Sequence, residues 1–206
     1  MIDTIIFDIG GVMITFDWFD YLKQLFGDAD QEFVQRITDG FWNSGYWTEM
    51  DRGVWSEEKV IESLRGVLPD LSDELDIVLD RFGELLKRTD YAIPWIRQLK
   101  DKGYKILFLS NYSDFLIRKN PGILDFIRHM DGGVFSHNVK MVKPDKEIYD
   151  EICRLYDLDP ACCLFTDDTQ VKVDGAIAAG LHAIRFDGYD KSYQVIMDYL
   201  KENGIG

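Results

Sequence analysis

Short apolar runs, each closed by turn residues, alternate along the chain with longer stretches in which apolar side chains recur every three to four positions. The short runs fall at 2–7, 104–109, 133–136, 162–165 and 182–186. Their β-branched and aromatic content reads as strand. Amphipathic helical stretches lie between and after them, at 94–102, 123–130, 145–156, 171–179 and 193–202. Strands that alternate with helices predict an α/β fold, a parallel sheet with helices on both faces.

One region breaks the alternation. From 17 to 90 no strand is expected, and the apolar spacing is helical: Phe19, Leu22, Leu25 and Phe26; then Phe33, Val34 and Ile37; then Val60, Ile61, Leu64 and Val67; then Leu75, Val78, Leu79, Phe82, Leu85 and Leu86. An all-helical insertion after the first strand reads as a cap over the sheet edge. The expected division is therefore a core of 1–16 and 91–206 and a cap of 17–90.

Composition narrows the function. The 206 residues carry 23 Lys+Arg and 37 Asp+Glu, a formal charge of −14. So acidic a chain lacks the basic stripe that a nucleic-acid binder needs to displace counterions. Within 17–90 there are 18 acidic and 8 basic residues, so most of the excess lies in the expected cap. A hydrophobic fraction of 46% excludes a disordered chain. The longest stretch free of charge is ten residues, at 175–184, where a membrane helix needs about 20. The first residues lack the basic start of a secretory signal. Three cysteines, two of them adjacent at Cys162 and Cys163, cannot make a paired framework, and reduced thiols in the cytoplasm are expected.

The candidate chemistry sits where the strands end. In parallel sheets, ligands bind beyond the carboxyl ends of the strands, and here those ends carry Asp8, Ser110 and the pair Asp167-Asp168, with Lys143 on the loop after the third strand. Three carboxylates brought together repel one another unless a cation intervenes. Mg²⁺, a hard ion that takes oxygen ligands, suits two carboxylates, waters and a phosphate. Lys143 would neutralise a carboxylate and a phosphoryl oxygen, and Ser110 with the backbone N–H groups around Asn111 would receive the phosphate. An aspartate facing that phosphate is a candidate nucleophile.

These residues resemble the four ordered motifs of the haloacid dehalogenase superfamily. Phe7-Asp8-Ile9-Gly10-Gly11-Val12 is similar to the first, Leu109-Ser110-Asn111 to the second, Lys143-Pro144 to the third and Phe165-Thr166-Asp167-Asp168 to the fourth. The resemblance implies a Rossmann-like core with an inserted helical cap of the C1 type. It further implies Asp8 as nucleophile, Ser110, Asn111 and Lys143 on the phosphate, and Mg²⁺ held by Asp8, the Gly10 carbonyl, Asp167 and Asp168. Glu49-Met50-Asp51-Arg52-Gly53, followed by Ser56-Glu57-Glu58, resembles the branch that acts on glucose 1-phosphate. Two positions depart from the pattern. Gly10 stands where these phosphatases usually carry a second aspartate, their general acid and base, although the branch in question also shows glycine there. Lys172 stands where Asn is usual, four residues beyond Asp168 and in helical register to pair with it.

In the cap, Trp42, Tyr46 and Trp47 cluster near Glu49 and Arg52. Trp47, Glu49 and Arg52 are candidate substrate contacts, against the alternative that the aromatics only pack the cap. Asp17 and Glu49 are candidate replacements for the missing acid. His129, His137 and His182 show no metal-ligand spacing. The leading expectation is a Mg²⁺-dependent phosphatase of a small phosphorylated metabolite, a sugar phosphate among the candidates, working as a monomer or homodimer. The alternatives are a relative that binds such a ligand without turnover, and a 2-haloacid dehalogenase, which needs no metal. In a phosphate-receiving signalling domain the acidic pair comes early in the chain rather than late.

Overall fold

The computed structural model describes residues 1–205. The chain opens with β1 (Thr4–Phe7) and β2 (Ile14–Phe16), then runs through α1 (Trp18–Phe26), α2 (Gln31–Trp42), α3 (Tyr46–Arg52), α4 (Glu57–Val67) and α5 (Ser72–Asp80). It returns through β3 (Leu86–Arg88), α6 (Ala92–Asp101), β4 (Lys105–Ser110), α7 (Asp114–Lys119), β5 (Gly132–Phe135) and α8 (Ser136–Val139). It closes with α9 (Lys146–Tyr156), β6 (Cys163–Asp167), α10 (Gln170–Ala178), β7 (His182–Arg185) and α11 (Tyr189–Asn203).

The main sheet has the order β5-β4-β1-β6-β7, and every pair in it is parallel. β1 lies at its centre, and all four of its residues are buried, as a strand covered on both faces requires. Alternation then sorts the helices. Ile5 and Phe7 pack with Trp95, Ile96 and Leu99 of α6 and with Ile196 and Leu200 of α11. Ile6, Leu107 and Phe165 point the other way, into Ile148 and Ile152 of α9 and Ala176 of α10. Helices therefore cover both faces, the α/β architecture expected from the sequence.

Two local expectations are corrected. Leu86–Arg88, inside the stretch expected to be free of strand, pairs antiparallel with Ile14–Phe16 in a separate ribbon. Three-residue strands are too short to show a period of two, and their partners lie 70 or more residues apart, so no local pattern announces them. The amphipathic stretch at 123–130 winds as a 3-10 helix over Asp125–His129, confined between Gly122 and the Gly132-Gly133 start of β5.

The ribbon leads into and out of the helical block, where α1, α2 and α4 begin with side-chain caps. Asp17 accepts from Asp20 N, Asp30 from Phe33 N and Ser56 from Lys59 N. Acids also fill first turns at Glu32, Glu57, Glu58, Asp73 and Glu74, where they complement the helix dipole. Much of the acidity at 17–90 is thus helix-start chemistry. Inside the block, Trp18, Phe41, Trp47 and Phe82 form an aromatic core, with ring centroids 5.0 Å apart for Phe41–Trp47 and 5.1 Å for Trp47–Phe82. Among the described residues, no helix is long and apolar enough to cross a membrane.

Candidate active site

Parallel register carries the chemistry to one edge. Phe7 lies level with Phe108 and Thr166, so Asp8, Ser110 and Asp167 emerge together from the carboxyl ends of β1, β4 and β6. Asp8 is held by its own backbone, whose N–H donates to Thr166 O at 2.9 Å, and its Oδ1 accepts from Ile9 N at 2.7 Å. Lys143 reaches it from behind. The Lys143 Nζ lies 2.9 Å from Asp8 Oδ1 and 2.6 Å from Asp167 Oδ2, with its side chain fully buried. Asn111 clasps the Lys143 backbone at two points, donating to its carbonyl at 3.0 Å and accepting from its N–H at 2.8 Å. The Asn111 side chain is therefore committed to Lys143, and only its backbone N–H faces a ligand role.

Asp168 is exposed, and its Oδ1 accepts from the Thr169 hydroxyl at 3.0 Å. Carboxylate oxygens of Asp8, Asp167 and Asp168 all lie within 4.8 Å of one another. Gly11 makes this approach possible: its φ is +72°, and a Cβ there would lie 2.1 Å from Asp168 Oδ2. Lys172, expected to pair with Asp168, instead points its Nζ at Asp8 Oδ2 and Asp167 Oδ1, each at 3.8 Å. Helix α10 begins only at Gln170, so Asp168 precedes it and does not share its face.

Electrostatics divides the two buried acids. Burial pushes the Asp8 carboxyl above the usual aspartate range, and the Asp167 charge adds to the rise, more than Lys143 and Lys172 offset. Burial pushes Asp167 up as well, but there the two ammonium groups prevail and hold it below the ordinary range.

A cavity of about 590 Å³ opens over this edge. Asp8, Gly10, Ser110, Asn111, Asp168 and Lys172 line its base, while Phe16, Trp18, Trp42, Trp47 and Phe82 line its upper wall. Lys143 and Asp167 do not line it and act from behind Asp8. Of the cap candidates, Trp47 reaches the cavity and is also packed among aromatics. Glu49 and Arg52 do not reach it: Arg52 bridges to Glu49 at 3.5 Å and to Asp145, at the start of α9, at 3.1 Å. Asp17 is spent on capping α1. Asp51, which enters the sequence analysis only within the cap motif, and Tyr112 are not among the expected site residues, yet both line the cavity and both bury a polar side-chain atom with no hydrogen-bond partner. A signal for Asp51 was present, because it sits four residues after Trp47 and so shares its helix face. The histidines stay outside the acidic group: His137 Nδ1 is 2.6 Å from Tyr112 O, and His182 Nδ1 is 2.6 Å from the Tyr199 hydroxyl.

A parallel sheet with an acidic, lysine-backed edge beneath a helical block defines a class of α/β hydrolytic scaffold. The chain belongs to the haloacid dehalogenase-like hydrolase family, whose model matches residues 2–180. A curated relative, (S)-2-haloacid dehalogenase 1 of Pseudomonas sp. (strain CBS-3), is 25% identical over 136 residues, 58% of this chain; the chain spans only 60% of that relative's length. Among solved structures, a predicted HAD-like hydrolase of Porphyromonas gingivalis superposes with a TM-score of 0.74 at 23% identity, covering 98% of each chain. A HAD family enzyme of Bacteroides thetaiotaomicron, in complex with magnesium and inorganic phosphate, superposes with a TM-score of 0.69 at 20% identity, covering 94% of this chain and 99% of that one. At these identities the structural likenesses establish the fold.

Proposed function

We propose that this hydrolase is a Mg²⁺-dependent phosphatase of small phosphorylated metabolites, sugar phosphates among them. Residues 1–16 and 91–206 would form its catalytic core, and 17–90 a cap that encloses the substrate. The observation that carries this reading is the convergence of three carboxylates within 4.8 Å. Such a group is costly without a cation, and its hard oxygens suit Mg²⁺. The cradle at Gly11, which a Cβ would close, supports the same donor set. Asp8, Asp167, Asp168 and the Gly10 carbonyl would hold the ion, which when bound neutralises phosphoryl oxygens and lowers the carboxyl pKa values.

The residues of the chain supply the rest. Asp8 attacks phosphorus; one carboxylate oxygen forms a bond to phosphorus as the ester oxygen leaves. The Ser110 hydroxyl and the Asn111 N–H hold the transferring group at the base of the cavity. Lys143 keeps Asp8 aligned and compensates its charge. Water then hydrolyses the aspartyl phosphate. The free thiols of Cys153, Cys162 and Cys163 fit a reducing, cytoplasmic setting.

A second reading, dehalogenation by the same Asp8, is favoured by the curated relative and by the Lys172 ammonium beside Asp8 and Asp167, which partly neutralises the acids without a metal. The two part on one experiment. Phosphate release from an ester panel that ceases in EDTA and in Asp8→Asn supports the phosphatase; metal-free halide release from a 2-haloacid supports the dehalogenase.

A further inference from the structure

Hydrolysis of an alkyl phosphate requires a proton for the departing alkoxide, and the residue two positions after Asp8 has none to give. A side chain there would also be crowded: a Cβ on Gly10 would lie 3.1 Å from Phe16 Cε2 at the end of β2, and the ring would have to shift to admit it. On the far wall of the same cavity, helix α3 presents Asp51. Its residue is 7% exposed, and its Oδ1 has no hydrogen-bond partner. A buried carboxylate with one oxygen left unpaired is costly to keep for structure alone. The Tyr112 hydroxyl, also buried and without a partner, lines the same wall. The backbone around Asp51 is pinned, because the Ser136 hydroxyl of α8 donates to the Asp51 carbonyl.

We propose that Asp51 is the proton donor and acceptor of the reaction, delivered from the helical block in place of the aspartate that Gly10 lacks. This rests on the phosphatase reading. In the first step the protonated Asp51 carboxyl gives its proton to the ester oxygen as the bond from that oxygen to phosphorus breaks and the bond from Asp8 to phosphorus forms. The alcohol leaves neutral and Asp51 becomes a carboxylate. In the second step Asp51 takes a proton from the attacking water as the new bond from oxygen to phosphorus forms and the bond to Asp8 breaks. The site returns to its starting protonation with one water consumed.

The surroundings of Asp51 suit both roles. Burial pushes its carboxyl up to about 7, with Lys172 and Ser113 moderating the rise and the Asp8 charge adding to it. A group poised near neutrality gives and takes a proton with similar ease. The groups that face it are Asp8 just after β1, Tyr112 and Ser113 from the loop after β4, and Lys172 from α10. Lys140, just after α8, donates to the Gly53 carbonyl at 2.7 Å, beyond the end of α3.

The test compares leaving groups. With Mg²⁺ present, kcat/KM is measured for an alkyl phosphate and for p-nitrophenyl phosphate, whose phenolate leaves without help. Asp51→Asn is expected to lose about 10²–10⁴-fold on the alkyl ester and less than about tenfold on the aryl ester. Retained aryl kcat/KM, which reports only the step that expels the leaving group, shows that the variant is folded, while kcat falls for both esters because water attack has lost its base. In the wild type, kcat/KM for the alkyl ester should fall above about pH 7, a limb absent for the aryl ester, and this arm needs no variant. Equal losses on the two esters, or no loss on the alkyl ester, overturn the assignment of Asp51 while turnover abolished by Asp8→Asn leaves the phosphatase intact. A wild type that hydrolyses neither ester overturns both.

Discussion

Exchanging Asp51 for asparagine removes a titration while keeping a shape, which makes the exchange a measure of how the cavity wall treats charge. Burial raises the folded carboxyl from an ordinary 3.8 to about 7. The folded protein therefore binds the proton more tightly than the unfolded chain. The stabilisation this confers is complete below the unfolded value and is lost as pH rises through about 7. At about 1.4 kcal/mol per pH unit, the whole span corresponds to about 4 kcal/mol, of which about 2 kcal/mol falls between pH 5 and 7. Asparagine does not titrate, so stability of Asp51→Asn relative to wild type should climb by about that amount over the same interval. Asp8, whose carboxyl is also raised, titrates in both proteins and largely cancels; its repulsion with Asp51 trims the difference. Urea unfolding in EDTA at half-unit pH steps reads the effect. With m near 3 kcal/mol/M, the gap between midpoints should widen by about 0.8 M. A constant gap from pH 5 to 8 would mean that Asp51 ionises like a surface carboxylate, and the claim of an enclosed acid would fail.

Three further outcomes follow from the same geometry. Lys143→Met leaves Asp8 and Asp167 buried beside each other without the ammonium between them, and should lower unfolding free energy by about 3–5 kcal/mol in EDTA, measured by urea titration. Gly11→Ala forces a Cβ to 2.1 Å from Asp168 Oδ2 at a φ of +72°, and calorimetry should find Mg²⁺ bound about 10–100-fold more weakly. Arg52→Ala breaks the bridges to Glu49 and Asp145, which are partly solvent-exposed, and should change stability by less than about 1 kcal/mol, because these residues fasten α3 to α9 outside the cavity.

The residues that carry the site differ in how openly the sequence declares them. Asp8, Ser110 and Asp167 each follow an apolar run, and a parallel sheet converts the ends of such runs into neighbours, so both the main sheet and this part of the site were legible. The β2–β3 ribbon was not, since Ile14 and Arg88 meet only after the intervening helices fold. The spacing of Lys172 from Asp168 suggests a pair on one helix face, but the helix starts two residues later, at Gln170. Asp51 stands next to Arg52 in the sequence, yet the two part in the fold. One residue along a helix is a turn of about 100°, enough to send Arg52 to Asp145 outside the cavity while Asp51 enters it. Tyr112 follows Asn111, whose side chain turns back to Lys143, and nothing in the local pattern tells that its hydroxyl ends in a cavity without a partner.

The central claim, a metal-dependent phosphatase that uses Asp8 as its nucleophile, is tested most directly by phosphate release from a panel of phosphomonoesters, measured in parallel with Mg²⁺, with EDTA and with Asp8→Asn. The account predicts release by the wild type with Mg²⁺ and none above background under the other two conditions. Release that persists in Asp8→Asn, or a wild type inert to every ester yet freeing chloride from a 2-haloacid in EDTA, would contradict it.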